Sequence, residues 1–318
     1  MKKLVLFGIL FTLFSQPIFA QKDTTWHTGG LAALNFNQTS LTNWASGGEN
    51  SLASSGLINL FAKYKKTRTS WDNSLDLAYG ILKSGEKDIR KNEDKIDLFS
   101  KFGLDVADKS KFAYAVLFNF KSQFDNGFSY PTDTSKYLIS KFAAPAYFLL
   151  ALGIDYKPNK DFSLFISPLT AKITLVNDQS LADQGSFGVD PAEYDASGNK
   201  IKDGKKTRNE FGAYLNARYQ KEILTNVNLL TKLDLFSNYS KNPQNIVVNW
   251  EILLAMKINK FMSASISTQL IYDDNVNITQ YESKNGFLIP KLDSNNNQIS
   301  GPRVQFKEVL GIGLAYKF

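Results

Sequence analysis

The feature that most constrains this chain is a two-residue hydrophobic period, which recurs from about residue 28 to the end. Successive side chains of a β-strand point to opposite faces, so this period predicts strands. The last segment shows it most clearly, because its apolar side chains share one face: Leu310, Ile312, Leu314, Tyr316 and Phe318. The opposite face of that segment carries glycine, alanine and lysine. The chain is therefore expected to be almost entirely β-structure.

About twelve such segments follow one another, each of about 10–14 residues, which is near the length that a tilted membrane strand needs. Soluble β-sandwiches usually have strands of about 5–6 residues around an apolar interior. Here one face of each segment is apolar, while the other carries charged residues, asparagine and glycine. The predicted strands are 28–38, 51–64, 70–82, 94–106, 111–123, 145–156, 161–176, 208–220, 226–239, 246–258, 261–273 and 304–318.

The connections between these segments alternate between short and long. The short connections are 65–69, 107–110, 157–160, 221–225 and 259–260. The other connections are 39–50, 83–93, 124–144, 177–207 and 274–303, with 240–245 as a brief exception. This alternation is typical of outer-membrane barrels, which have short periplasmic turns and longer extracellular loops. We therefore predict an all-β, transmembrane, up-and-down antiparallel barrel of about twelve strands.

The N-terminus has the layout of a secretory signal peptide. Lys2 and Lys3 precede an apolar stretch, Leu4–Phe14, and Pro17 comes just before Ala20. The apolar stretch has about 11 residues, fewer than the roughly 20 that span a bilayer as a helix. We expect cleavage near Ala20, with residues 1–20 as the signal peptide and 21–318 as a single barrel domain. The expected location is the outer membrane of a Gram-negative cell.

The amino-acid composition limits the kinds of catalytic and metal sites that the chain can form. The chain has no cysteine and one histidine, so disulfides, thiolate metal sites and His-rich metal sites are excluded. We expect no enzyme activity and no cofactor, since His27 at the start of the first strand is interpreted as a rim residue. A general base at His27 in an outer-membrane hydrolase is a remote alternative. We also expect no metal site, although oxygen ligands at Asp273 and Asp274 leave a calcium site as an alternative.

The excess of basic residues does not indicate nucleic acid. The chain has 37 Lys+Arg and 30 Asp+Glu, a net charge of +7. These lysines are spread over predicted turns and the predicted lumen, without a continuous basic groove or an aromatic stacking motif. The expected partners are outer-membrane lipids and the barrel-assembly machinery, which would bind the C-terminal strand. An envelope protein partner remains an alternative.

The polar faces of the strands predict which side chains line the lumen. Side chains of opposite charge lie close enough on neighbouring strands to predict ion pairs along the wall. Asp76 is expected near Lys101, and Glu251 near Lys232 and Asp234. The predicted lumen-lining residues are Asp72, Asp76, Lys95, Asp97, Lys101, Asp105, Lys111, Lys121, Arg218, Lys232, Asp234, Glu251 and Lys257.

Three segments resemble known sequences. The C-terminal VLGIGLAYKF, Val309–Phe318, is similar to the terminal strand signal that outer-membrane barrels present to the assembly machinery. SLTNWASGGENSL, Ser40–Leu52, resembles the N-terminal motif of a Bacteroidota outer-membrane family catalogued as a domain of unknown function. LIYDDNVNI, Leu270–Ile278, resembles a later segment of that family. The resemblance implies a barrel and a Bacteroidota source, and it brings no assigned activity or catalytic residue.

Two main functional hypotheses follow. The first is a porin-like channel for small polar solutes, because inward glycines would leave space in a lumen of this size. The second is a structural or interaction barrel within an envelope complex, suggested by the long loops. The loop 177–207 is long enough to fold inward. The sequence leaves an open and a plugged lumen as alternatives.

Overall fold

The fold is described from a computed structural model, which covers residues 25–41, 49–130, 135–259, 262–284, 287–294, 296 and 298–318. The predicted signal peptide, residues 1–20, lies outside these described residues, as does most of the motif at Ser40–Leu52. Among the helices in the described part of the chain, none combines the length and the apolar character that crossing a bilayer requires.

Twelve antiparallel strands form one closed barrel, and each strand pairs with its neighbours in sequence. The barrel closes where Leu31–Phe36 of the first strand pair with Ile312–Lys317 of the last. The strands are β1 Trp26–Thr39, β2 Ser51–Lys66, β3 Thr69–Ser84, β4 Arg90–Asp105, β5 Phe112–Ser122, β6 Ala146–Tyr156, β7 Phe162–Leu175, β8 Thr207–Leu224, β9 Val227–Asn238, β10 Ile246–Lys257, β11 Met262–Tyr272 and β12 Gln305–Lys317.

The predicted fold class is confirmed, including the number and order of the strands. The predicted seventh strand contains Pro168, which cannot donate a backbone hydrogen bond to a neighbouring strand. β7 stays continuous because the register shifts at this point against both neighbours, between Leu152 and Ile154 and between Gly212 and Tyr214. The Ser167 hydroxyl donates to the Leu152 carbonyl at 2.7 Å, which stabilises this bulge.

The connections at one end of the barrel are tight turns, and this end is called the short-turn end. Most connections at the opposite, long-loop end are longer and carry their own secondary structure. Short strands pair there as Gly127–Ser129 with Tyr137–Ser140, Glu193–Tyr194 with Lys200–Lys202, Asn277–Thr279 with Ser300–Pro302, and Tyr281–Lys284 with Phe287–Pro290. Between β7 and β8 lie a helix, α1 Gln179–Asp183, and a 3-10 turn, Ser186–Gly188.

The outer surface of the barrel is apolar and the inner surface is mostly polar. Large apolar side chains on the outer face stay exposed, as Trp71, Leu150 and Ile166 show. Aromatic pairs lie on this surface near both ends, with Trp26 against Tyr64 at the short-turn end and Phe120 against Phe148 toward the long loops. An apolar band between aromatic belts is the surface that a bilayer requires of a spanning barrel.

Candidate functional site

The lumen is crossed by two ion pairs that join opposite strands. Lys232 Nζ on β9 lies 2.9 Å from Asp76 Oδ2 on β3. Lys95 Nζ on β4 lies 2.9 Å from Glu251 Oε2 on β10. In a ring of twelve strands, positions three and nine are diametrically opposed, and so are four and ten. These two contacts, the cross-lumen ion pairs, therefore divide the lumen into two halves.

A polar network surrounds the cross-lumen ion pairs. Asp234 Oδ1 accepts hydrogen bonds from the Tyr214 hydroxyl at 2.6 Å and from Asn216 Nδ2 at 2.8 Å. Lys121 Nζ lies 3.4 Å from the other Asp234 oxygen and 3.9 Å from Asp97 Oδ2. The cavity between these groups has a volume of only about 30 Å³. That volume suits about one water molecule, so this level of the lumen is filled by side chains.

The inner faces of β5–β8, called the packed half, are largely buried and contain large apolar side chains beside polar ones. Leu117 on β5 and Phe165 on β7 are 0% exposed although they point into the barrel. They form one cluster with Ala151, Tyr214 and Phe236. The wall on this side is therefore held by tight packing, like the core of a soluble protein.

The inner faces of β11, β12, β1 and β2, called the open half, carry many small side chains. Ser263 and Ser265 are partly accessible and Ser267 is exposed, although all three point into the barrel. Opposite them in register, β12 presents Gly311 and Gly313. A Cβ at Gly313 would collide with the Leu34 carbonyl oxygen of β1, so glycine also permits the closing strands to approach. Solvent thus reaches the inward serines of β11, while Gly311 is covered by Asn35.

At the short-turn end, cations and carboxylates pair around the mouth of the lumen. Lys101 Nζ lies 2.7 Å from Asp155 Oδ1, and both side chains are buried. Lys157, in the turn after β6, contacts Asp72 at 2.7 Å and Asp155 at 3.2 Å. Burial opposes charging of Lys157, but Asp72 and Asp155 outweigh it and raise the pKa of that ammonium group. Both carboxylates are thus already engaged by lysines.

At the long-loop end, Asp273 faces cations. Its Oδ2 lies 3.3 Å from Arg208 Nη2 and 3.9 Å from Lys172 Nζ. Asp274 Oδ2 accepts a hydrogen bond from Asn245 Nδ2 at 2.6 Å. The calcium alternative is therefore not supported, because positive and donor groups occupy the oxygens that would bind the ion. The described residues also contain no group of three or more metal-ligating side chains.

The connection between β7 and β8 covers the mouth of the packed half. Leu181, Ala182 and Val189 form a buried cluster with Val176 and Ala144. The carbonyl of Gly188 accepts a hydrogen bond from Arg208 Nη1 at 3.3 Å, which ties this connection to the inner face of β8. The lumen below is filled by side chains of the wall.

The same connection carries its own polar contacts. Asp178 caps α1, accepting a hydrogen bond from Leu181 N at 3.1 Å. Asp183 accepts hydrogen bonds from Lys200 at 2.9 Å and from Gln179 and Gly204. The contact with Lys200 is the main reason that the pKa of Asp183 falls to about 2. This part of the chain is therefore ordered by charge-assisted hydrogen bonds.

The structure separates the predicted lumen residues into two groups. Lys111 and Lys257 lie at the short-turn rim and are exposed. The others contact, or lie beside, inward-facing groups: Asp72, Asp76, Lys95, Asp97, Lys101, Asp105, Lys121, Arg218, Lys232, Asp234 and Glu251. Asp105 is a wall contact rather than a central one, since its carboxylate lies 2.6 Å from Lys65 Nζ beside a turn.

One predicted pair is wrong. Asp76 was expected near Lys101, but in the observed register Asp76 lies opposite Asp97 and Lys101 lies opposite Asp72. A shift of four residues in the assumed hairpin register accounts for the error. Lys232 does lie directly opposite Glu251 in register, although the nearest cation to Glu251 is Lys95.

The sequence analysis did not identify the apolar side chains of the packed half. Leu117 has the parity of Ala115 and Asn119, which points it inward, but its apolar character suggests the outer face. Phe165 lies on the same inner face of β7 as Ser163 and Ser167. Strict application of parity would have placed both residues in the lumen.

His27 lies on β1 at the short-turn end. Its ring centroid is 5.5 Å from that of Phe61, and its Cα partner across the strand pair is Lys63. No nucleophile contacts it within the described residues. The position is that of a rim side chain.

Part of this chain matches a protein family of unknown function. Residues 36–128 match the family described as "Protein of unknown function (DUF3078)", from the end of β1 to just beyond β5. This match confirms the part of the resemblance that concerns a domain of unknown function. No curated protein matches the chain.

Solved structures show only distant similarity. An outer membrane channel from Pseudomonas putida F1 has 11% identity and a TM-score of 0.37, with 95% of this chain and 99% of that chain covered. The translocator domain of the autotransporter NalP from Neisseria meningitidis has 10% identity and a TM-score of 0.37, covering 99% and 96%. The NanC porin has 8% identity and a TM-score of 0.35, covering 89% and 98%. The fold assignment itself follows from the closed strand pairing.

Proposed function

We propose that this chain is an outer-membrane barrel that conducts small polar solutes through a narrow, off-centre passage along the open half of the lumen. The apolar outer surface between aromatic belts supports the membrane location, since lipid replaces the interior partner that such side chains have in soluble proteins. In the usual orientation of outer-membrane barrels, the short-turn end faces the periplasm and the long-loop end faces the exterior.

The observation that carries the proposal is the accessible inner face of β11. Ser263, Ser265 and Ser267 point inward and remain accessible, while the inner face of β7 is fully buried at Phe165. The cross-lumen ion pairs separate these two regions. A passage confined to the small-residue side would admit water and small polar molecules and exclude larger ones.

Blocking the open half tests the proposal. Purified barrel in a planar bilayer is expected to show ohmic conductance, and Ser267→Trp is expected to lower it strongly because the indole fills accessible space. Thr268→Trp is the matched control, because the next residue on β11 points to the opposite face. Equal conductance of Ser267→Trp and wild type, or no conductance from folded wild type, would overturn the proposal.

A structural or interaction barrel is the second candidate function. The observation that favours it is the direct bridging of opposite strands at 2.9 Å, which closes the centre of the lumen. This function predicts a folded, non-conducting barrel that co-purifies with a specific envelope protein. A cross-linking experiment in intact cells that captures one envelope protein reproducibly would support it.

The proposal is non-enzymatic. A hydrolase would need a base beside a nucleophile, whereas the ring of His27 lies against the ring of Phe61. The Bacteroidota source, the signal peptide and recognition of the C-terminal strand by the assembly machinery remain part of the same proposal. Removal of Phe318 tests the last of these, with lower yield of folded barrel in the outer membrane as the expected result.

A further inference from the structure

The periplasmic mouth of the lumen holds more cations than carboxylates. Asp105 pairs with Lys65 at this end, and Asp72 and Asp155 both contact Lys157, while Asp155 also contacts Lys101. Two further cations in the same region, Lys63 and Arg218, form no ion pair among the described residues. Two positive charges at this mouth, those of Lys63 and Arg218, are therefore not balanced by an ion pair among the described residues.

Lys63 is placed to meet a solute. It lies on the inner face of β2, is exposed, and has His27 and Asp72 as its strand neighbours in register. Its ammonium group lies 5.6 Å from the centroid of the Phe61 ring. Asp72, its register partner on β3, is already engaged by Lys157 at 2.7 Å. Lys63 therefore has no carboxylate to itself among the described residues.

Arg218 reaches the same mouth from β8, because its register partner Ser163 contacts both Lys101 and Asp155 at 2.9 Å. Its only described hydrogen bond goes from Nη2 to the Gln220 Oε1 atom at 3.2 Å. Asp72, Asp76 and Asp97 lie within electrostatic reach of its guanidinium group. Each of these carboxylates already contacts another donor: Lys157, Lys232 and Asn119, respectively. Arg218 also lines the small central cavity.

The open half adds a second, independent observation. Among the described side chains, the inner faces of β1, β2, β11 and β12 carry no carboxylate. Their described inward cations are Lys63, Lys65 and Lys307, of which Lys65 pairs with Asp105 at 2.6 Å and Lys307 pairs with Glu93 at 2.6 Å. A solute moving along this side therefore meets Lys63 at the periplasmic end, and the carboxylate opposite Lys63 in register, Asp72, is engaged by Lys157 at 2.7 Å. Low-dielectric walls strengthen such a field.

We propose that Lys63 and Arg218 form a binding site for a small anion with a carboxylate or phosphate group, and that this site makes the passage anion-selective. The inference rests on the proposed passage. A guanidinium group presents several donors to the oxygens of such an anion, and an ammonium group adds a second, flexible contact. The solute class is thus small organic acids or phosphorylated molecules.

Ion selectivity is the first test. Under a potassium chloride gradient, the reversal potential of the wild-type barrel is expected to show preference for chloride. Lys63→Gln and Arg218→Gln are each expected to lower the chloride-to-potassium permeability ratio by about a factor of two, and the double variant by more. Lys160→Gln is the matched control, because Lys160 is an exposed turn lysine at the same end with no part in the site. Cation selectivity of the wild type, or an effect of Lys160→Gln equal to that of Lys63→Gln, would overturn the inference.

Binding is the second test, and it does not depend on conduction. Inorganic phosphate, and separately acetate, are titrated calorimetrically into the folded barrel in detergent. Saturable heat from wild type and its loss in the Lys63→Gln, Arg218→Gln double variant are expected, and a phosphate-only response would assign the site to phosphorylated solutes. Unchanged binding in the double variant, or no binding to wild type, would overturn the site. If the barrel shows no conductance but still binds phosphate, the proposed passage is overturned and the anion-binding site is retained.

Discussion

The packed half and the open half of the lumen belong to one wall with the same alternation of inward and outward residues, yet their inner faces differ in exposure to solvent. Around Leu117 and Phe165 the inner surface is excluded from solvent. Around Ser265 and Ser267 it is accessible. The alternation of inward polar and outward apolar side chains therefore does not produce a lumen with the same lining all around. The size of the inward side chains decides whether a region of the wall behaves as a core or as the lining of a passage.

The cross-lumen ion pairs mark the boundary between the two halves. Each joins a charged side chain on the β3–β4 side to one on the β9–β10 side. Partly buried ion pairs contribute modestly to stability, because desolvation offsets much of the attraction. Their position at the boundary indicates that they restrict the space available to solutes and fix the shape of the barrel.

The largest difference in stability is expected from truncating one residue in each half. Phe165→Ala removes a fully buried ring from the packed half and should lower the free energy of unfolding by about 3–5 kcal/mol. Ser265→Ala on the open half should change it by no more than about 0.5 kcal/mol. Urea unfolding of both variants in lipid vesicles, followed by tryptophan fluorescence, measures the effect. An equal decrease in the free energy of unfolding of the two variants would contradict the distinction between a core-like half and a passage.

A smaller effect on stability, with a clear effect on conduction, is expected at the boundary. Lys232→Ala leaves Asp76 with its contact to Asn59 but without its cation, which should cost about 1–3 kcal/mol. The shorter side chain also opens a gap between the two halves, so single-channel conductance should rise. Lys257→Ala, at an exposed strand end, is the control. If both variants conducted like wild type, the cross-lumen ion pairs would not limit the passage.

The smallest effect is expected outside the barrel, where an ion pair lies in water. Lys200→Ala removes the main cause of the low pKa of Asp183 and should raise that pKa from about 2 toward the ordinary value of 3.8. A lowered pKa stabilises the folded loop above pH 3.8, and this contribution is lost as the pH falls through about 2. Carbon-13 NMR titration of the Asp183 carboxyl measures the shift. Lys205→Ala, which affects Asp190, should leave Asp183 unchanged.

Much of the barrel could be predicted from local pattern, and the contacts across the lumen could not. The strand order follows from the period and from the alternation of short and long connections, because hairpin neighbours in sequence pair in space. Asp76 and Lys232 are separated by 156 residues and by half the circumference of the ring. Hairpin register relates adjacent strands only, so no sequence rule connects these two residues. The wrong pairing of Asp76 with Lys101 shows that even adjacent register is sensitive to where a hairpin turns.

The sequence by itself determined that the chain forms twelve long strands with one apolar and one polar face, because a closed barrel offers each side chain only an inner or an outer environment. It also placed the charged residues near the middle of β3, β4, β9 and β10 on the inward parity: Asp72, Asp76, Lys95, Asp97, Lys232, Asp234 and Glu251. Only the tertiary structure decided which of those charges meet across the barrel, and that the lumen is packed beside Phe165 and accessible beside Ser267. The physical reason is that closure brings together side chains far apart in sequence, and the space left between them depends on all of their sizes at once.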